Sequence, residues 1–209
     1  MARSRTSHTW LKEHFNDPFV KKAHAEGLRS RAAFKLEELL GRDRLVKPGM
    51  TIVDLGAAPG GWAQIATRAL AGRGKVIALD ILDMPSIPGV DFIQADFRED
   101  SAVAALEARL DGARVDLVLS DMAPNMSGVE SVDQARSMAL AELARDFALT
   151  WLKPDGDFLV KLFHGVGFDD YVRDLRRHFT KVVVRKPKAS RARSTEVYAL
   201  GTGRKAPTP

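Results

Sequence analysis

The stretch Val53-Asp54-Leu55-Gly56-Ala57-Ala58-Pro59-Gly60-Gly61-Trp62 restricts the possible architectures more than any other part of the chain. The apolar run Thr51 to Leu55 reads as a short buried strand, and the periodic segment Trp62 to Ala71 as a helix. Between them is a tight glycine-rich turn stiffened by Pro59. Strand, glycine turn and helix in that order make a ligand site at the carboxyl end of the first strand of an open α/β sheet. Gly56 and Gly60 have no Cβ, so a ligand is expected to lie against the backbone there. The order Gly56-x-x-x-Gly60-Gly61 departs from G-x-G-x-x-G, which leaves the pyrophosphate cradle of a dinucleotide site incomplete.

Around this unit, strands and helices alternate. Further strands are expected at Val76–Leu79, Phe92–Ala95, Val115–Leu119 and Phe158–Phe163, and helices at Ala102–Leu110, Val132–Leu152 and Phe168–Phe179. The apolar stripe of the longest helix, Val132, Ala135, Ala139, Leu143 and Phe147, is expected to face the core. Pro154-Asp155-Gly156 reads as the turn that precedes the fifth strand. Val182–Val184 and Val197–Leu200 are joined by a connector too short for a helical crossover, which predicts a hairpin. The resulting fold class is α/β: a mostly parallel seven-stranded sheet with an antiparallel edge hairpin and helices on both faces. Residues 48–209 form this domain, and 1–47 a basic helical extension that is not an independent domain. In the extension, residues 1–9 read as disordered and Trp10 to Glu26 as one or two short amphipathic helices interrupted at Asn16-Asp17-Pro18. Ser30 fits the N-cap of a helix from Arg31 to Leu40, which Gly41 ends.

Charge is segregated. Residues 1–47 carry +5, residues 48–180 carry −7 and residues 181–209 carry +7. If the two basic ends meet in space, they form a positive surface for a polyanion. Cysteine is absent, which excludes disulfides, thiolate metal sites and a cysteine nucleophile. The five histidines lack metal-binding spacing, so no metal is expected. No apolar run reaches the length of a membrane span, and the polar start lacks the apolar region of a secretory signal. A cytoplasmic protein is expected, with no membrane association.

Acids recur at strand ends: Asp80, Asp96 and Asp121. In an open sheet these positions share one edge, above the glycine turn. There an acid after the second strand can accept hydrogen bonds from ribose hydroxyls, and one after the third from an adenine amino group. Lys161 interrupts the apolar run Phe158–Phe163, where a lysine is rarely buried without a partner, and should lie beside Asp121. Glu196 is the only acid after Asp174.

The string D-x-G-x-x-P-G-G-[FW] resembles the first motif of S-adenosylmethionine (AdoMet) methyltransferases. Other strings extend the resemblance almost end to end: Gly27 to Ala32 with Phe34-Lys35-Leu36, Ser120 to Gly128, Val160-Lys161, Arg185-Lys186-Pro187, Ser190 to Ser194, and Glu196-Val197-Tyr198. Together they resemble the FtsJ/RrmJ family, 23S ribosomal RNA 2′-O-ribose methyltransferases with a Rossmann-like fold. The resemblance implies a Lys-Asp-Lys-Glu tetrad at Lys35, Asp121, Lys161 and Glu196, with Lys161 as the base, Asp121 orienting it, and the other two in support. It implies AdoMet as cofactor, held by Gly56, Gly60, Gly61, Trp62, Asp80, Asp96, Phe97 and Asp121. The implied partner is 23S rRNA within the large ribosomal subunit, at an A-loop uridine. Arg29, Arg31, Lys186, Arg191 and Arg193 are the candidate RNA contacts, and a monomer is expected. Thr195 stands where arginine is expected beside the last glutamate. Other RNA targets (tRNA or a cap) and a non-catalytic RNA-binding assembly factor remain as alternatives. An amine methyltransferase would need D/N-P-P-Y/F where Asp121-Met122-Ala123-Pro124 stands.

Overall fold

The computed structural model describes residues 17–206. Residues 1–9, and the part of the Trp10–Glu26 segment before Asp17, lie outside the described residues. The elements run α1 (Pro18–Ala25), α2 (Ala32–Asp43), β1 (Thr51–Leu55), α3 (Gly61–Leu70), β2 (Lys75–Asp80), β3 (Val90–Gln94), α4 (Asp100–Leu110), β4 (Val115–Ser120), α5 (Glu130–Trp151), β5 (Leu152–Phe163), α6 (Phe168–His178), β6 (Phe179–Arg185) and β7 (Glu196–Arg204). Seven strands form one sheet in the order β3-β2-β1-β4-β5-β7-β6. The first five are parallel, and β7 runs antiparallel to both β5 and β6. The expected α/β class and edge hairpin are observed, with β6 outermost and β7 inside.

Alternation along the strands divides the core in two. Val53, Leu55, Ile77, Val118 and Val160 pack with α4, α5 and α6 on one face. Ile52, Val76, Ala78, Leu119 and Leu159 pack with α2 and α3 on the other. The chain leaves β1 towards β2 and β3, then returns to β4 on the other side of β1. The crevice at this reversal opens above Gly56 and Asp121, whose N–H donates to the Leu55 carbonyl (3.0 Å).

Four local expectations are corrected. Helix α2 passes through Gly41 to Asp43, and the left-handed residue that closes it is Arg44 (φ 52°). A mid-helix glycine costs only about 1 kcal/mol relative to alanine, and buried Leu36 and Leu39 anchor this helix. Ser30 is not its N-cap: Arg31 holds that position, and the buried Ser30 hydroxyl has no partner. Strand β5 starts at Leu152, so Pro154-Asp155-Gly156 lies within it, where the pairing with β4 shifts register and Asp155 has φ 62°. Finally, α5 is rotated relative to its apolar stripe. Asp133, Ala141, Ala144, Phe147 and Ala148 are buried, whereas Val132 and Leu143 are exposed. Alanines bring the helix close to the sheet, and Ala139 and Leu143 are left to line the crevice.

Candidate active site

The glycine turn is built for close approach by the protein itself. A Cβ on Gly56 would come within 2.8 Å of Met122, which follows β4. One on Gly60 would meet Ile87 at 2.7 Å and the Arg29 guanidinium at 3.0 Å, and one on Gly61 would strike the Ser30 hydroxyl. The missing side chains therefore admit neighbouring segments, and Gly56 and Gly61 also line open space. Arg29 fastens this packing: its guanidinium donates to the carbonyls of Pro59 (3.2 Å), Pro85 (2.6 Å) and Ser86 (2.7 Å).

A cavity of about 780 Å³ opens over the strand ends, and its walls include Gly56, Asp80, Asp96, Phe97, Asp121 and Leu143. Asp80 accepts from the N–H of Ala58 (2.9 Å) and of Leu82 (2.8 Å), bracing the turn and the loop beyond β2. Asp96 is paired with Arg98, whose side-chain and backbone hydrogen bonds hold its carboxyl below the usual range. Phe97 stands edge-on to Phe147 (5.8 Å between rings). A smaller recess of about 130 Å³ shares Gly56, Ala58 and Asp121 with this cavity and is bounded by Ser30, Gly61 and Trp62. Trp62 is buried, donates its indole N–H to the Ala32 carbonyl (2.9 Å) and packs 5.5 Å from the Tyr198 ring. Below the turn, Asp54 is fully buried and neither carboxylate oxygen has a partner. Burial, then the charges of Asp121 and Asp80, push its pKa well above the usual carboxylate value.

Lys35, Asp121, Lys161 and Glu196 meet beside the cavity. Lys161 Nζ lies 3.3 Å from Asp121 Oδ1 and donates to the Asp121 carbonyl, with only 8% of its side chain exposed. Lys35 donates to Glu196 (2.6 Å) and to the hydroxyl of Tyr198 (3.2 Å). That hydroxyl in turn donates to Asp121 Oδ1 (2.8 Å), so Tyr198 joins the two ion pairs. Burial pushes the Glu196 pKa up, but the charge and hydrogen bond of Lys35, the charge of Lys161 and the Ser190 hydroxyl outweigh it, and the net pKa is lowered. Tyr198 and Ser190 are absent from the sequence-derived site. Tyr198 pairs with Lys161 across β5 and β7, and only its place two residues from Glu196, on the same strand face, is visible in the sequence.

The other candidate RNA contacts lie where the two basic ends meet. Arg31 bonds to Asp17 and to the Ala189 carbonyl, and Arg191 lies 3.9 Å from the same aspartate. Lys186 donates to the carbonyls of Ala192 (3.4 Å) and Ser194 (2.8 Å), within its own loop. Arg185 pairs with Asp43 (2.9 Å). Arg193 lies in the same loop and is also engaged in an interaction within the protein. Among the described residues, no cluster of three or more His, Asp or Glu is placed to hold a metal, and no helix is long and apolar enough to cross a membrane.

The model of the FtsJ-like methyltransferase family matches residues 28–204. The chain belongs to this family. It is similar to the ribosomal RNA large subunit methyltransferase E of Xanthomonas euvesicatoria, at 64% identity over 98% of this chain and 97% of that protein. It is 65% identical to the protein of the same name from Stenotrophomonas maltophilia, over 98% of each chain. In three dimensions it resembles a proposed ribosomal RNA methyltransferase of Plasmodium falciparum, with a TM-score of 0.76 and 29% identity over 84% of this chain and 98% of that one. Membership of the FtsJ-like family implies AdoMet as cofactor, and the site's residues fit that molecule. Its cavity, the acids at two strand ends and the partnerless Ser30 hydroxyl suit an amphipathic, cationic nucleoside.

Proposed function

We propose that this protein methylates a ribose 2′-hydroxyl in large-subunit ribosomal RNA, with AdoMet as donor and a uridine of the 23S A-loop as target. The relatives named above support the substrate class. The observation that carries the reaction type is the buried Lys161, ion-paired to Asp121 at the edge of the cavity and backed by Lys35, Glu196 and Tyr198. A hydroxyl nucleophile needs a group at the point of attack to take its proton, and Lys161 is our candidate.

When bound, AdoMet supplies a methyl group activated by its sulfonium. The protein's tasks are placement and proton removal. Asp80 and Asp96 would hold the ribose and adenine of the cofactor, Phe97 would pack on it, and the backbone of Gly56, Gly60 and Gly61 with Trp62 and Asp121 would enclose the rest. Alignment of oxygen and methyl supplies much of the rate. Lys161 would accept the hydroxyl proton, while the methyl group would leave the sulfonium sulfur for the oxygen, so that the neutral thioether S-adenosylhomocysteine is the second product. Asp121 fixes the direction of that amine, Tyr198 fixes Asp121, and the Lys35–Glu196 pair closes the site behind them. Arg29, Arg31, Lys186, Arg191 and Arg193 line the basic side, where phosphates would position the RNA without specifying its sequence. In this reading the protein acts as a monomer in the cytoplasm, on the ribosome. The test is transfer of labelled methyl from AdoMet to large subunits lacking the modification, followed by mapping of the 2′-O-methyl group. Labelling of a base, of protein, or of nothing would overturn the reading.

A further inference from the structure

The first turns of α5 tie two loops together beside the strands that bear Asp121 and Lys161. Asp133 accepts from the backbone N–H (2.7 Å) and hydroxyl (2.7 Å) of Ser127 and from the N–H of Gly128 (3.0 Å). The Ser127 backbone bond, then its hydroxyl, hold the Asp133 carboxyl below the usual range, so this clasp stays charged at neutral pH. The next residue, Gln134, donates to the carbonyls of Val166 (2.9 Å) and Phe163 (3.3 Å). A Cβ on Gly165 would lie 2.9 Å from the Gln134 amide carbon, so the β5–α6 loop packs directly on that side chain.

These contacts turn Met126, Val129, Val132 and Val166 outwards, at 63, 54, 38 and 88% exposure. Eight large apolar side chains are exposed among the described residues, and half of them lie here. The segments 122–132 and 163–167 contain no lysine or arginine and one acid, Glu130. The opposite side of the crevice, from Arg29 to Arg31 and from Arg185 to Arg193, is basic. The strand ends carrying Asp121 and Lys161 run between the two.

A nucleotide has the same asymmetry: a charged phosphodiester on one side of the ribose and a base with apolar faces on the other. We propose that the Met126–Val129–Val132–Val166 ridge receives the base of the target nucleotide or its immediate neighbour, while the basic side takes the phosphates. The proposal rests on the RNA-methylating reading above. Glu130 opposes phosphate on this side. A base held there leaves its ribose between the two walls, at Lys161.

The test compares the Val129→Asp/Val166→Asp double variant with Val129→Leu/Val166→Ile. Both sites are exposed, so folding and AdoMet affinity should be unchanged, as read by thermal melting and calorimetry. For the aspartate pair, KM for large subunits should rise by about tenfold, the equivalent of losing one buried valine contact. The leucine/isoleucine pair should stay near wild type. In parallel, a large subunit carrying 4-thiouridine at the target position should photo-crosslink to peptides within 122–132 or 163–167. An unchanged KM in the aspartate variant, or crosslinks confined to the β6–β7 loop, would overturn the proposal alone. A wild-type protein that methylates no ribose in the particle would overturn the underlying reading, and the ridge with it.

Discussion

Lys161 and Asp54 are both ionisable residues among apolar neighbours, with opposite arrangements. Lys161 has the carboxylate and carbonyl of Asp121 within reach. Lys161→Ala should abolish methyl transfer and leave AdoMet affinity near wild type, because the proposed base touches the hydroxyl and not the body of the cofactor; retained transfer would remove Lys161 from the mechanism. Asp54 has no partner for either oxygen. Its folded pKa is raised, mainly by burial and then by Asp121 and Asp80. The native state therefore keeps a proton that the unfolded chain releases near pH 4. The stability this contributes is fully present below that pH and is lost as pH rises through the folded pKa. An asparagine in its place has no proton to release and would show no such loss. The cofactor-free Asp54→Asn variant should therefore gain on wild type in melting temperature as pH rises from 4. Parallel melting curves across that range would show that Asp54 ionises normally.

At the level of elements, the sequence was most readable where a pattern has one geometric meaning. Acids after apolar runs marked the ends of β2 and β4, and the lysine in β5 was correctly expected beside Asp121. The apolar stripe of α5 was misread because a helix bordering a crevice shows the same periodicity as one facing the core, and its alanines hid which face lay closest to the sheet. Tyr198 was hidden because a tyrosine among Val, Ala and Leu reads as packing, and only the position of Asp121 shows that its hydroxyl has a task. Charge alone marks Arg29 as a candidate RNA contact and does not show its second task, which is to join the glycine turn to the loop after β2. Arg29→Ala should lower stability by about 1.5–3 kcal/mol, the size of a lost hydrogen bond to a charged group, and weaken AdoMet binding. Chemical denaturation and calorimetry can check this. A variant that keeps both properties but loses RNA affinity would leave Arg29 with the RNA contact as its only task.

Across the whole molecule, the two basic segments meet through contacts of Arg31, Arg185 and Arg191 with the acids Asp17 and Asp43 and with a backbone carbonyl. Part of the positive charge is thus spent inside the protein. Charge reversal at Lys186 and Arg191 should impair methylation of large subunits and flatten the salt dependence of their binding, with AdoMet affinity unchanged. Binding assays across a salt series would show this, and an unchanged slope would place the phosphates elsewhere. The sheet order also has a consequence for how the protein is made. β7 follows β5 and β6 along the chain but lies between them in the sheet, and it carries Glu196 and Tyr198. Lys35 must wait for a partner 161 residues further along the chain. A nascent chain can thus shape its glycine turn and set Lys161 beside Asp121 while Lys35 still lacks its carboxylate and β5 is an open edge. The four charged side chains are therefore assembled only once β7 has paired between β5 and β6.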